Sequence, residues 1–296
     1  MSIRRVTPDW LRANPLPRHE QEGDKNVRGR VLIVAGSAEV PGAALLAGLG
    51  ALRAGAGVLQ IATCRSSAPH LGMAMPEGMV VGCQETAAGG IDPANCNRLV
   101  EMGSACDALL IGPGMVDEPA MAELASELMR HVKDATFILD AAAFTTLKPD
   151  TKLTGTHAGR TIVTPHSGEM AKFLDLSRDQ IDSDLLQAAK RAAGQLRAIV
   201  AMKGASTHIV SPDGEVCLSE NGSIGLATSG SGDSLAGILA GLVARGTRPF
   251  LATVWAVYMH GEAGRRLSER NGTFGLLARE IPGEIPSIMQ EFSDRV

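Results

Sequence analysis

Aromatic side chains are scarce in this chain of 296 residues: two Trp, one Tyr and six Phe make up only 3% of it. A core with so few rings is filled by smaller groups, and 34 glycines within a chain that is 45% apolar suit β-α-β layers packed through Ala, Val, Leu and Gly. Basic excess is also lacking. Twenty-eight Lys and Arg against 32 Asp and Glu leave a net charge of -4, which argues against a nucleic-acid protein, because such binding needs concentrated positive surface. Apolar stretches such as residues 42–51 and 235–244 are too short to cross a bilayer and are interrupted by glycine. The opening residues, Met1-Ser-Ile-Arg-Arg-Val-Thr-Pro-Asp-Trp10, lack the apolar core of a signal peptide, so a cytoplasmic protein is expected. Cys64, Cys83, Cys96, Cys106 and Cys217 are odd in number, widely spaced and without a C-x-x-C pair. They predict neither a disulfide framework nor a zinc site and read as small core residues. The chain also has no G-x-S-x-G elbow, no H-E-x-x-H pair and no G-x-G-x-x-G fingerprint after a strand, which removes serine-hydrolase, zinc-enzyme and standard dinucleotide-domain readings.

What is present is a repeating rhythm. A polar, Pro-containing arm over residues 1–30 gives way to a single expected α/β domain over 31–296. Val31-Leu-Ile-Val-Ala35 reads as a buried strand, residues 36–42 as a glycine loop, residues 43–54 as a helix of small residues, and Val58-Leu-Gln-Ile-Ala62 as a second strand. This β-loop-α-β unit is the building block of a mostly parallel sheet with helices on both faces, whose ligands gather at the carboxyl ends of the strands. Ala108-Leu-Leu-Ile111, Phe137-Ile-Leu139, Thr161-Ile-Val163 and Ala198-Ile-Val-Ala-Met202 repeat the pattern. Each ends in a turn of Gly, Pro, Asp, His or Lys, and one cleft along those ends is the simplest account. His208-Ile-Val-Ser and Glu215-Val-Cys-Leu, joined by Pro212-Asp-Gly214, predict a hairpin beside it.

The densest signal is Gly225-Leu-Ala-Thr-Ser-Gly-Ser-Gly-Asp-Ser-Leu-Ala-Gly237, a Gly/Ser loop running directly into an apolar helix. Gly230 and Gly232 allow positive φ and close approach of a ligand, and the first turn of a helix offers unpaired N–H groups and partial positive charge to a phosphate. Asp233 stands at the mouth of that seat. It is either an N-cap or a base that takes a proton from an attacking hydroxyl, and the run of Gly, Ser and Thr before it favours the base. Lys203, at a strand end beside Gly204, suits a nucleotide phosphate better than plain solvation. His166 and Glu169 read as a helix cap with its capping-box acid or as site residues, with the site role favoured for His166. Asp140 is balanced between capping the next helix and a substrate or metal role. Trp255, Tyr258 and Met259, on an amphipathic helix over residues 251–266, read as core.

Val31-Leu-Ile-Val-Ala-Gly-Ser37, Pro41-Gly-Ala43, Ile111-Gly-Pro-Gly114, Leu139-Asp140, Thr164-Pro-His-Ser-Gly-Glu-Met170, Lys203-Gly204 and the Gly225 to Gly237 stretch together resemble the prokaryotic ADP-dependent NAD(P)H-hydrate dehydratases, of ribokinase-like fold. The resemblance implies phosphorylation of the hydroxyl of hydrated NADH or NADPH, followed by loss of phosphate. It implies that Asp233 activates that hydroxyl while Gly230 and Gly232 stabilise the transferred group. It further implies nucleotide contacts from Lys203, Gly204, Ala205, Ser206, Thr207 and Gly232, and contacts to the hydrated dinucleotide from Ala43, Gly114, His166 and Asp233. ADP or ATP would be the donor with Mg²⁺, whose protein ligands the residues do not specify, and a homo-oligomer, a tetramer, is implied in the same way. Ser229 stands where the family carries glycine, so a strained loop is expected if that position needs positive φ. A kinase of the same fold acting on a vitamin or sugar alcohol is the alternative, weighed down by Pro165-His166-x-Gly168-Glu169. A binding protein without catalysis is the third reading, against which Asp233 speaks.

Overall fold

The computed structural model describes residues 3–18, 25–148, 151–157 and 159–293. Residues 1–2 and 19–24 of the N-terminal arm lie outside them. Among the described residues ten strands form one sheet: β1 (Arg4–Arg5), β2 (Arg30–Val34), β3 (Val58–Cys64), β4 (Met79–Cys83), β5 (Ala108–Ile111), β6 (Thr136–Leu139), β7 (Thr161–Val163), β8 (Ile199–Met202), β9 (Thr207–Val210) and β10 (Val216–Ser219). Their order is β1-β10-β9-β8-β7-β6-β5-β2-β3-β4. From β8 across to β4 every pairing is parallel, whereas β9 runs antiparallel to both β8 and β10 as the hairpin signal predicts.

The apolar runs form strands because both faces of the sheet are covered, so inward and outward side chains alike lose water. In β2, Val31 and Ile33 enter the core on one face while Leu32 and Val34 enter that on the other. All four are fully buried. The first core is closed by helices Gly42–Arg53, Ser231–Ala244, Pro249–Asn271 and Ile281–Glu291, and the second by Glu118–His131, Ser167–Leu174 and Leu185–Leu196. Trp255, Tyr258 and Met259 are buried in the first, as expected. The cysteine expectation needs one correction. Four cysteines are buried, but Cys96, at the start of the exposed-faced helix Cys96–Ser104, is only half-buried. Among the described residues no helix is long and apolar enough to cross a membrane.

Residues before β2 also join the fold. Arg4 and Arg5 pair in parallel with Cys217 and Leu218 of β10. Thr7 caps helix Pro8–Ala13 by accepting from the Trp10 amide, Leu11 is fully buried, and the Trp255 indole N–H donates to the Asn14 carbonyl at 2.9 Å.

The Gly42 and Ser231 helices pack at backbone distance. A Cβ on Gly237 would lie 2.0 Å from the Ala47 carbonyl oxygen, and one on Gly241 would lie 2.3 Å from that of Ala51. Side chains there would push the helices apart, so glycine is needed for close approach and not for helix formation, where it costs about 1 kcal/mol relative to Ala. Gly237→Ala is therefore expected to lower stability by about 1–3 kcal/mol despite its better helix propensity. A urea midpoint equal to that of the wild type would show that the helices can separate without cost.

Candidate active site at the carboxyl ends of the strands

Strands β6, β7 and β8 are neighbours, so the residues that follow them meet. Thr164 donates its hydroxyl to Asp140 Oδ1, and Lys203 Nζ donates to the same oxygen at 3.1 Å. The Asp140 side chain is 4% exposed and that of Lys203 21%. Burial pulls the Lys203 ammonium toward the neutral form, but Asp140, Glu169 and Asp233 outweigh it, and its pKa lies above the usual lysine value. Asp140 does not cap the helix after it. That helix, Ala142–Thr145, has Ala141 at its cap position with no side-chain bond, which leaves the Asp140 carboxylate to the cleft.

The Ser231–Ala244 helix brings its N-terminus to the same place. Gly230 occupies the cap position with φ 85° and ψ -6°, and no side chain caps the first turn. The Ser231 amide donates to the Thr228 carbonyl at 3.3 Å, which leaves those of Gly232 and Asp233 for a ligand. Asp233 is the third residue of the helix and not its cap, so the N-cap reading fails. Of the two glycines expected to use positive φ, Gly230 does and Gly232 does not. Nor does Ser229, since Ala141, Asp175 and Arg197 are the only described non-glycine residues with positive φ. The strain considered for Ser229 is absent because the left-handed turn falls one residue later. Gly232 lies beside the lysine: a Cβ there would be 3.5 Å from Lys203 Nζ. Burial first, and then the charge of Asp140, push the Asp233 carboxyl up to about 6 against the opposing pull of Lys203.

Ala43 and Gly114 meet where the strand order reverses, since β2 is flanked by β3 on one side and β5 on the other. The Gly36 amide donates to the Pro113 carbonyl at 2.7 Å, and a Cβ on Gly114 would approach that of Ala43 to 2.6 Å. Leu46 of the same Gly42 helix lies against Gly230, its Cδ1 2.4 Å from where a Cβ would stand. This pair thus sits next to the glycine loop. Gly204 and Ala205 are exposed on the flank, where the Ala205 carbonyl lies 3.3 Å from a Cβ built on Gly222; Ser206 and Thr207 lead into β9.

His166 and Glu169 form a capping box on helix Ser167–Leu174. His166 Nδ1 accepts from the Gly168 and Glu169 amides at 3.0 and 3.3 Å, while Glu169 Oε2 accepts from the His166 amide at 2.8 Å. Nδ1 as acceptor places the proton of the neutral ring on Nε2. That nitrogen lies 3.3 Å from Glu169 Oε1, on a side chain that is 58% exposed.

Two contributors escaped sequence reasoning. Thr164 carries no signal beyond its place at a strand end, and its contact with Asp140 exists only through the β6–β7 pairing. His260 lies in the Pro249–Asn271 helix, with Nε2 3.0 Å from both the hydroxyl and the carbonyl oxygen of Ser231. Burial holds it down to about 4, so it braces the first turn of the Ser231 helix as a neutral ring. Its partner is 29 residues away and leaves no local pattern. A cavity of about 550 Å³ lined by Ile199, Ser211, Glu215 and Arg248 opens at the opposite, amino-terminal end of the strands and includes none of these groups.

The profile of the NAD(P)H-hydrate dehydratase family matches residues 31–287. The chain belongs to the NAD(P)H-hydrate dehydratase family. The match to the dehydratases runs from β2 into the Ile281 helix and leaves β1 and the Pro8 helix outside. An ADP-dependent (S)-NAD(P)H-hydrate dehydratase of Xanthomonas campestris is 44% identical over 288 residues, 97% of this chain and 96% of that protein. A ribokinase-like superfamily protein of Enterococcus faecalis superposes with a TM-score of 0.85 at 25% identity, covering 99% of this chain and 97% of that one. The ADP/ATP-dependent NAD(P)H-hydrate dehydratase of Bacillus subtilis, co-crystallised with ATP and Mg²⁺, superposes with a TM-score of 0.79 at 30% identity over 99% of this chain and all of that one. Like both, this dehydratase-family chain is α/β and ribokinase-like.

The charge balance is open to direct test. The Asp233 carboxyl is expected to titrate near pH 6 in carbon-detected NMR. Lys203→Met removes an attraction for the carboxylate and should move that midpoint upward; an unmoved midpoint would mean that the ammonium does not face Asp233.

Proposed function

We propose that the chain is an ADP-dependent (S)-NAD(P)H-hydrate dehydratase, which repairs hydrated NADH or NADPH. The observation that carries this reading is an unpaired carboxylate, Asp233, in the uncapped first turn of a buried helix behind a left-handed glycine, with a lysine alongside. The same chain is 44% identical to a dehydratase of that name along almost its whole length.

In this reading the hydrate's hydroxyl donates its proton to Asp233 as its oxygen forms a bond to the terminal phosphorus of ADP, and the bond from that phosphorus to the AMP oxygen breaks. The amides around Gly230 and Gly232 receive the charge that accumulates on the transferred group, and the helix N-terminus adds its partial positive charge. Phosphate then leaves with the C–O electron pair while a proton departs from the neighbouring carbon, which restores the ring double bond. A pKa near 6 suits this base, since it is ionised at neutral pH yet holds a proton more strongly than an ordinary aspartate. Lys203 supplies a fixed cation to the nucleotide phosphates, with Gly204, Ala205, Ser206 and Thr207 along the nucleotide's flank. Ala43, Gly114 and His166, whose Nε2 edge is shared with Glu169, take the dinucleotide on the other side of Asp233.

Among the described residues no group of three or more His, Cys, Asp or Glu could enclose a metal ion. Mg²⁺ keeps phosphate and water ligands and needs few from protein. When bound, the ion neutralises charge on the phosphates. The reading extends to a single ribokinase-like domain over 31–296, onto whose sheet edge and core residues 4–14 pack, and to a cytoplasmic homotetramer.

The test is incubation of the purified protein with hydrated NADH, Mg²⁺ and either ADP or ATP, following the absorbance of reformed NADH. Nucleotide-dependent recovery is expected, with ADP the better donor. Asp233→Asn should reduce turnover by roughly 10²–10⁴-fold while calorimetry shows nucleotide affinity near that of the wild type. Near-normal turnover in that variant would remove Asp233 from the chemistry.

A further inference from the structure

We propose that Asp140 is a positioning residue for phosphoryl transfer: it tethers Lys203 at the anion seat and, by occupying that ammonium, leaves Asp233 without an ion-pair partner. The inference rests on the reading of Asp233 as the base. Lys203 stands between two carboxylates of the cleft and bonds to one of them. Its Nζ is 3.1 Å from Asp140 Oδ1 and close to Gly232, whereas Asp233 makes no ion pair within 4.0 Å among the described residues. A lysine free to turn would close onto Asp233 and stabilise its ionised form, making it a poorer proton acceptor.

Asp140 is held firmly enough to do this. It is 3% exposed, and the oxygen that takes the lysine also takes the Thr164 hydroxyl. Its amide donates to the Ile111 carbonyl at 3.0 Å and its own carbonyl accepts from the Ala143 amide at 3.2 Å. The chain then turns sharply through Ala141, at φ 51° and ψ -132°. Such a conformation in a non-glycine residue persists where its surroundings over-determine it. The charged and titratable groups that face this arrangement come from four directions. Asp140 follows β6 and Lys203 follows β8; Glu169, from the Ser167 helix, adds to the field on Lys203; and neutral His260, from the Pro249 helix, meets the Ser231 helix one residue before Gly232. Asp140 is the acidic group among them that acts on both Lys203 and Asp233.

Asp140→Asn keeps the volume and can still meet Thr164, but it removes the charge. The pH profile of kcat/KM for the wild type should fall as the pH drops through about 6, where Asp233 takes up its proton. In Asp140→Asn the lysine turns to Asp233 and the repelling charge is gone, so the acid limb should move to lower pH. The rate at its plateau should drop by roughly 10²-fold, the loss that misplacement of about an ångström brings. A purely structural Asp140 would lower the rate and leave the limb in place, and that result would overturn the proposal. If Asp140→Asn does not fold, Asp140→Glu keeps the charge but displaces the lysine. It should raise the KM for ADP severalfold with the limb still near 6, and an unchanged KM would overturn the proposal equally. NMR titration of the Asp233 carboxyl in Asp140→Asn reads the same shift without turnover. A wild type that fails to reform NADH would therefore sink the proposed function while the tether is judged separately.

Discussion

The contact between the Gly42 and Ser231 helices is the constraint on which the cleft depends. Both helices carry their reactive ends, Ala43 on one and Gly230 to Asp233 on the other, at the same edge of the sheet. Their separation is set by backbone meeting backbone at Gly237 and Gly241. A helix that buries nearly its whole circumference holds its first turn still, which preorganised electrostatics requires: amides aimed in advance need no reorganisation when charge develops. The scarcity of large aromatic residues and the abundance of alanine and glycine are thus part of how the site is built.

Within that frame the cleft manages three charges in a small space. The buried carboxylate of Asp140 and the half-buried one of Asp233 would repel each other, and one lysine cannot neutralise both. The lysine is given to Asp140, and Asp233 keeps its lone pairs. His260 and Ser231 support the arrangement from behind without adding charge. Function here is a matter of allocation, in which the ammonium serves the phosphate side and the free carboxylate the hydroxyl side.

Much of this was legible in the sequence because it is local. The apolar runs of β2, β3, β5, β6, β7 and β8, the hairpin of β9 and β10, and the glycine-to-helix junction each announce themselves within about ten residues. The capping box of His166 and Glu169 was legible too, although it competed with a site role for the same residues. What was hidden depends on the order of strands across the sheet. Asp140, Thr164 and Lys203 are far apart in the chain and meet only because β6, β7 and β8 pair side by side. Gly230 and Gly232 are alike on paper, and only the helix register shows which one takes the left-handed turn. Strand β1 was hidden for another reason, since Arg4 and Arg5 are exposed and carry no apolar pattern.

That short strand has a consequence for how the sheet ends. Arg4 and Arg5 pair with Cys217 and Leu218, and Asn14 receives its hydrogen bond from Trp255, 241 residues further along the chain. Lying along the outer side of β10, this segment covers an edge that would otherwise present unpaired amides to other chains.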